Sequence, residues 1–89
     1  MVQIQLIPTL DHCIETTARK EYQRLVQEYL AGKGTADFEE KAELLRTFLE
    51  SADFRKLRRE SEAELLQGKK VIFTLYREGN ETKYNMTVS

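Results

Sequence analysis

The stretch Val71-Ile72-Phe73-Thr74-Leu75-Tyr76-Arg77-Glu78-Gly79-Asn80-Glu81-Thr82-Lys83-Tyr84-Asn85-Met86-Thr87-Val88 decides the fold. Ahead of the Gly-Asn pair, Val71, Phe73 and Leu75 alternate with Ile72, Thr74 and Tyr76. Beyond it, Tyr84, Met86 and Val88 alternate with Lys83, Asn85 and Thr87. A period of two places alternate side chains on opposite faces of a strand. If Gly79-Asn80 is a two-residue turn, Val71 pairs with Val88, Phe73 with Met86 and Leu75 with Tyr84. All three apolar pairs then share one face, and a loop one residue longer or shorter would scatter them. The sequence therefore predicts a hairpin with strands 71–77 and 82–88. Its other face carries Ile72 with Thr87, Thr74 with Asn85, and Tyr76 with Lys83.

A lone hairpin is marginal in water, so its apolar face needs a cover. The upstream sequence supplies one. Val2, Ile4 and Leu6 alternate with Gln3 and Gln5 as a further strand, which Pro8 ends because proline has no ladder N–H. From about Thr17 the period becomes helical, with Ala18, Tyr22, Leu25, Val26, Tyr29 and Leu30 on one stripe and Gly32 and Gly34 after it. Whether this helix reaches back to Asp11 is open, because Thr16 and Thr17 are adjacent β-branched residues. A second helix is expected over about 36–50, with Phe38, Ala42, Leu45, Phe48 and Leu49 inward. A third is expected from Ala52 or Phe54 to Gln67, with Phe54, Leu57, Ser61, Leu65 and Leu66 inward and Gly68 closing it.

Thr35-Ala36-Asp37-Phe38 and Ser51-Ala52-Asp53-Phe54 look like a repeat. They read better as two helix starts, with Thr35 and Ser51 as cap hydroxyls and Asp37 and Asp53 facing the positive end of the dipole. The likeness stops after the phenylalanines, and the spacing matches no solenoid repeat. The expected architecture is an α+β single domain over residues 1–89, in β-α-α-α-β-β order, with three helices on one face of a small sheet.

Composition narrows the function. Charged residues make up 33% of the 89 residues, yet 14 basic and 15 acidic side chains leave a net charge of −1. That lacks the basic bias of many nucleic-acid binders. One cysteine rules out an intramolecular disulfide framework. Met-Val-Gln-Ile-Gln-Leu-Ile-Pro does not have the pattern of a signal peptide, and no apolar run approaches a membrane span, so a cytoplasmic location is expected. Asn80-Glu81-Thr82 and Asn85-Met86-Thr87 match the glycosylation pattern, and without a secretory signal they count as chance.

Few residues point to chemistry. Asp11, His12, Cys13 and Glu15 combine acid, base and nucleophile, but neighbours on a helix do not face one another, and local carboxylates oppose a thiolate. One imidazole and one thiol make no metal set. The glycines form neither a P-loop nor a dinucleotide fingerprint, and there is no nucleophile elbow. No catalytic, cofactor-binding or metal-binding residue is therefore expected.

Two surfaces remain. Arg55, Lys56, Arg58 and Arg59 crowd the start of the third helix, where Lys56 can reach Glu60 and Arg58 can reach Glu62. Ile72 and Tyr76 are expected exposed beside Lys83 on the outer sheet face. The expected function is a non-catalytic domain acting through protein contacts, with an unknown protein or a second copy as partner through the outer face or edge of the hairpin. A weak nucleic-acid module using residues 55–59 is the alternative, and it ranks lower.

Overall fold

A computed structural model describes residues 2–34 and 36–89. The hairpin forms in the expected register, with Val71 opposite Val88, Phe73 opposite Met86 and Leu75 opposite Tyr84. Its strands, β2 (Val71–Glu78) and β3 (Glu81–Val88), each run one residue closer to the turn than expected. Gly79 has φ +64°, while no non-glycine among the described residues has positive φ. Positive φ at the first turn residue alone is the type II′ pattern, whose twist matches that of the strands it joins. β1 (Gln3–Leu6) pairs antiparallel with β2, giving the order β1-β2-β3. Ile4 then faces Leu75 across the ladder and Leu6 faces Phe73, so the apolar face continues over all three strands.

Three helices cover that face: α1 (Ile14–Leu30), α2 (Phe38–Ser51) and α3 (Phe54–Leu65). The architecture is thus the expected α+β one, in β-α-α-α-β-β order. α1 starts earlier than Thr17 but stops short of Asp11. Thr17 is tolerated there because its hydroxyl donates back to the Cys13 carbonyl at 2.9 Å. At the other end, Gly32 takes φ +77° and donates to Tyr29 O, while Lys33 N–H reaches Glu28 O at 2.8 Å. These are the paired bonds of a Schellman stop, and they need a residue free to enter the left-handed region.

Helix starts depart from the cap assignment read from sequence. Asp37 and Asp53 occupy the cap positions themselves, and Asp53 Oδ1 accepts from the Lys56 N–H at 3.2 Å. Ser51 is the last residue of α2, its hydroxyl donating to Thr47 O at 2.6 Å, so it caps nothing. Ala52 breaks the helix with extended backbone, which leaves the next acid to start α3. Thr35, the other expected cap, lies outside the described residues.

The core joins Ile4, Leu6, Ile14, Ala18, Leu25, Leu44, Leu45, Phe48, Leu57, Val71, Phe73 and Leu75. Leu44 falls off the predicted α2 stripe. It is buried because α2 touches α1 as well as all three strands and so has two packed faces. Conversely, Tyr29, Leu30 and Leu66, expected inward, are exposed. Leu30 and Leu66 are 77% and 74% exposed at helix ends that outrun their partners, and Tyr29 instead stacks on Phe38 at 4.4 Å. Ser61 is buried as expected, and its hydroxyl donates to Arg58 O at 3.2 Å.

Leu45 and Leu66 were indistinguishable by period, yet one is enclosed and the other solvated. Leu45→Ala should cost about 2–5 kcal/mol of unfolding free energy. Leu66→Ala should stay within about 0.5 kcal/mol of wild type. Urea unfolding followed by circular dichroism measures both.

Candidate functional site

The basic half of α3 is sorted by helical geometry. Leu57 is buried and fixes the inward direction. Arg55, Arg58, Arg59 and Glu62 follow one another at i, i+3, i+4 and i+7, so they share one face, toward the start of α1. With Phe54 they form one wall of a cleft of about 360 Å³, and Cys13, Ile14 and Glu15 form the other. Lys56 turns away and lines a separate, shallower concavity with Arg59, Glu60 and Ala63. The four predicted basic residues are all exposed, but only three of them converge.

Ion pairing in the cleft is uneven. Arg58 Nε donates to Glu62 Oε1 at 2.8 Å, as the i, i+4 spacing predicts. Glu15 is tied to Arg19 at 2.9 Å. Among the described residues, no ion pair involves Arg55, Lys56 or Arg59, so the expected Lys56–Glu60 pair does not form. Arg55 and Lys56 also sit in the first turn of α3, where each cation opposes the macrodipole by about 0.3–1 kcal/mol. Arg55 and Arg59 repel across one turn, at about 0.2–0.5 kcal/mol.

Cys13 is the residue whose environment differs most from the sequence reading. It occupies the cap position of α1 and is half-buried. Its thiol is held below the ordinary cysteine range chiefly by the Thr16 hydroxyl, whose oxygen lies 3.3 Å from Sγ. Burial pushes the other way, while the backbone N–H groups of Thr16 and Glu15 and the charge of Arg58 add to the lowering. The local carboxylates invoked against a thiolate do not prevail over these groups, and one of them, Glu15, is paired with Arg19.

His12 does not join it. The His12 N–H donates to Thr9 Oγ1 at 3.1 Å in a tight turn, and the residue lines a different concavity with Ile7, Thr17 and Arg24. Among the described residues, no group of three His, Cys, Asp or Glu side chains is placed to hold a metal ion. The cleft thus brings three guanidinium groups and a thiol together, and His12 lies outside it.

The second predicted surface changes character. The register puts Ile72, Tyr76 and Lys83 on the outer sheet face, with Tyr76 directly opposite Lys83. Yet Ile72 and Tyr76 are half-buried rather than exposed, because β2 is the central strand and side chains of β1 and β3 flank them. Lys83 pairs with Glu78 at 3.6 Å. The more exposed aromatic is Tyr84, on the helix-facing side, at 40%. Its ring meets Phe48 edge-on at 5.7 Å and Phe73 at 6.1 Å, but α2 covers only part of it. Met86 and Val88 beside it are partly buried.

The β3 backbone adds to this. Lys70 and Ser89 exchange both N–H···O bonds just beyond the ladder. Bonded pairs alternate along an antiparallel ladder, so residues 87, 85 and 83 bond to β2. Thr82, Tyr84, Met86 and Val88 therefore turn their N–H and C=O groups to the open edge. The same four residues project their side chains toward the helical layer.

With this geometry in hand, the comparisons place the chain. It belongs to an uncharacterised protein family. The family model matches residues 2–86, which takes in β1, the three helices and β2 whole and β3 as far as Met86. A protein of Archaeoglobus fulgidus described as uncharacterized is 49% identical over 51 residues, covering 54% of this chain. That alignment spans 60% of the relative's own length. No solved structure matches the chain significantly. Among the described residues, no helix is long and apolar enough to cross a membrane.

The thiol's environment makes a direct test. Thr16→Val should move the pH midpoint of Cys13 alkylation upward, because it removes the hydroxyl that stabilises the thiolate. Iodoacetamide rates across pH, wild type against variant, measure the shift. An unchanged midpoint would mean that Thr16 does not act on the thiol.

Proposed function

We propose that this protein is a non-catalytic cytoplasmic interaction domain that self-associates through the open edge of β3. The observation that carries the reading is the coincidence, at Tyr84, Met86 and Val88, of edge-directed backbone groups with incompletely covered apolar side chains. An eight-residue edge strand without proline is a template for another strand. The best-matched occupant is the same edge of a second copy, running antiparallel about a two-fold axis.

A register centred on Asn85 uses the whole strand. It sets Tyr84 against Met86 of the partner subunit and Thr82 against Val88 of the partner subunit, each with N–H groups facing. Lys83 then meets Thr87 of the partner subunit, so no like charges oppose across the seam. Two three-stranded sheets become one of six strands, and the half-covered Tyr84 ring gains an apolar neighbour. A single free thiol is compatible with the reducing conditions of the cytoplasm. Nucleic acid stays the lower-ranked partner, since Glu62 neutralises Arg58 and Lys56 faces away from the cleft.

Light scattering at high protein concentration should give twice the monomer mass, with little dependence on salt, because the seam is made by backbone bonds and apolar contact. Thr82→Pro removes a donor from the edge but none from the β2 ladder, and Met86→Lys puts a charge into the seam. Both variants should be monomeric with wild-type circular dichroism. A wild-type monomer, or variants that still dimerise, would refute the reading.

A further inference from the structure

We propose that the cleft between the start of α1 and the basic face of α3 binds a small phosphate monoester, held by Arg55 and Arg59. This site is separate from the β3 edge and independent of self-association. Three guanidinium groups on one helix face could have been spread over a convex surface. Instead they line a concavity of about 360 Å³, within the range of small-molecule sites. Of the three, Arg58 is engaged by Glu62, while Arg55 and Arg59 pair with no carboxylate among the described residues.

Those two arginines repel each other across one helical turn, and Arg55 also opposes the α3 dipole. A bound dianion relieves both at once. Phosphate suits them better than a carboxylate, because its three terminal oxygens can take paired N–H donors from two planar guanidinium forks. The opposite wall is the start of α1, whose positive dipole end also favours an anion. Glu15 and Glu62 also line the cleft, but each is already neutralised, by Arg19 and Arg58. Phe54 provides an apolar surface for the carbon side of an ester. The cleft is an open but local concavity bounded by eight residues, which favours a terminal phosphate over the run of diesters in a nucleic acid.

Calorimetric titration with phenyl phosphate, inorganic phosphate and a single-stranded oligonucleotide without terminal phosphate tests this and separates the sources of phosphate. Phenyl phosphate should bind saturably, inorganic phosphate more weakly, and the oligonucleotide weakest. The double variant Arg55→Gln/Arg59→Gln, checked for fold by circular dichroism, should lose about tenfold or more in affinity as charge-assisted bonds disappear. Lys69→Gln, whose side chain pairs with Glu64 away from the cleft, should bind as wild type does. Cys13 supplies a second readout, since phenyl phosphate should slow its alkylation by iodoacetamide in wild type and not in the double variant. The proposal is overturned if phenyl phosphate fails to bind, if the arginine substitutions leave its affinity unchanged, or if the oligonucleotide binds most tightly.

Discussion

The two-residue turn at Gly79-Asn80 is the constraint on which everything else hangs. It fixes the register of β2 against β3, and the register fixes which side chains face the helices. A slip by one residue would send Phe73 and Leu75, both fully buried, to the solvent side and bring Thr74 and Tyr76 into the core. The turn depends on a residue that accepts positive φ at its first position, and Gly79 provides it. β1 then docks on the other side of β2 in the only parity that adds Ile4 and Leu6 to the same face.

From that register follows an asymmetry between the two neighbours of β2. The central strand is enclosed by α2 and α3 above and by flanking side chains on the outer face. β3 is longer than β1, lies at an edge, and receives its cover from α2 alone among the helices that make substantial contact with it. Its inward side chains are therefore sheltered on one flank and open on the other. The surface most suited to a partner is the inner margin of the sheet, where backbone and apolar groups are exposed together. The outer face, with half-buried Ile72 and Tyr76 among polar neighbours, offers less.

Much of this was legible in the sequence. Alternation with a turn dipeptide specified the hairpin down to its pairs, and the helical stripes gave the order of elements. Periodicity could not say where a partner surface ends, and so Leu30 and Leu66 continued their stripes into solvent. Nor could it show that α2 is packed on two sides, which buries Leu44. Parity told which face held Ile72, Tyr76 and Tyr84 but not how deep each lay, because depth depends on strand order. The basic cluster was visible as composition. Its convergence on Cys13 was not, since that needs the tertiary contact between α1 and α3. A local sign did exist in Thr16, three residues after Cys13, whose hydroxyl can reach back to the thiol once the helix starts at Ile14 rather than Thr17.

Amide hydrogen exchange along β3, resolved by NMR at low and high protein concentration, tests the central claim most directly. The register requires Lys83, Asn85 and Thr87 to be protected at every concentration, because they bond to β2. The open edge requires Thr82, Tyr84, Met86 and Val88 to exchange fast when dilute, and the proposed self-association requires them to become protected at high concentration. Protection on the opposite parity would contradict the register. Fast exchange at Tyr84 and Met86 at all concentrations would contradict the role given to the edge.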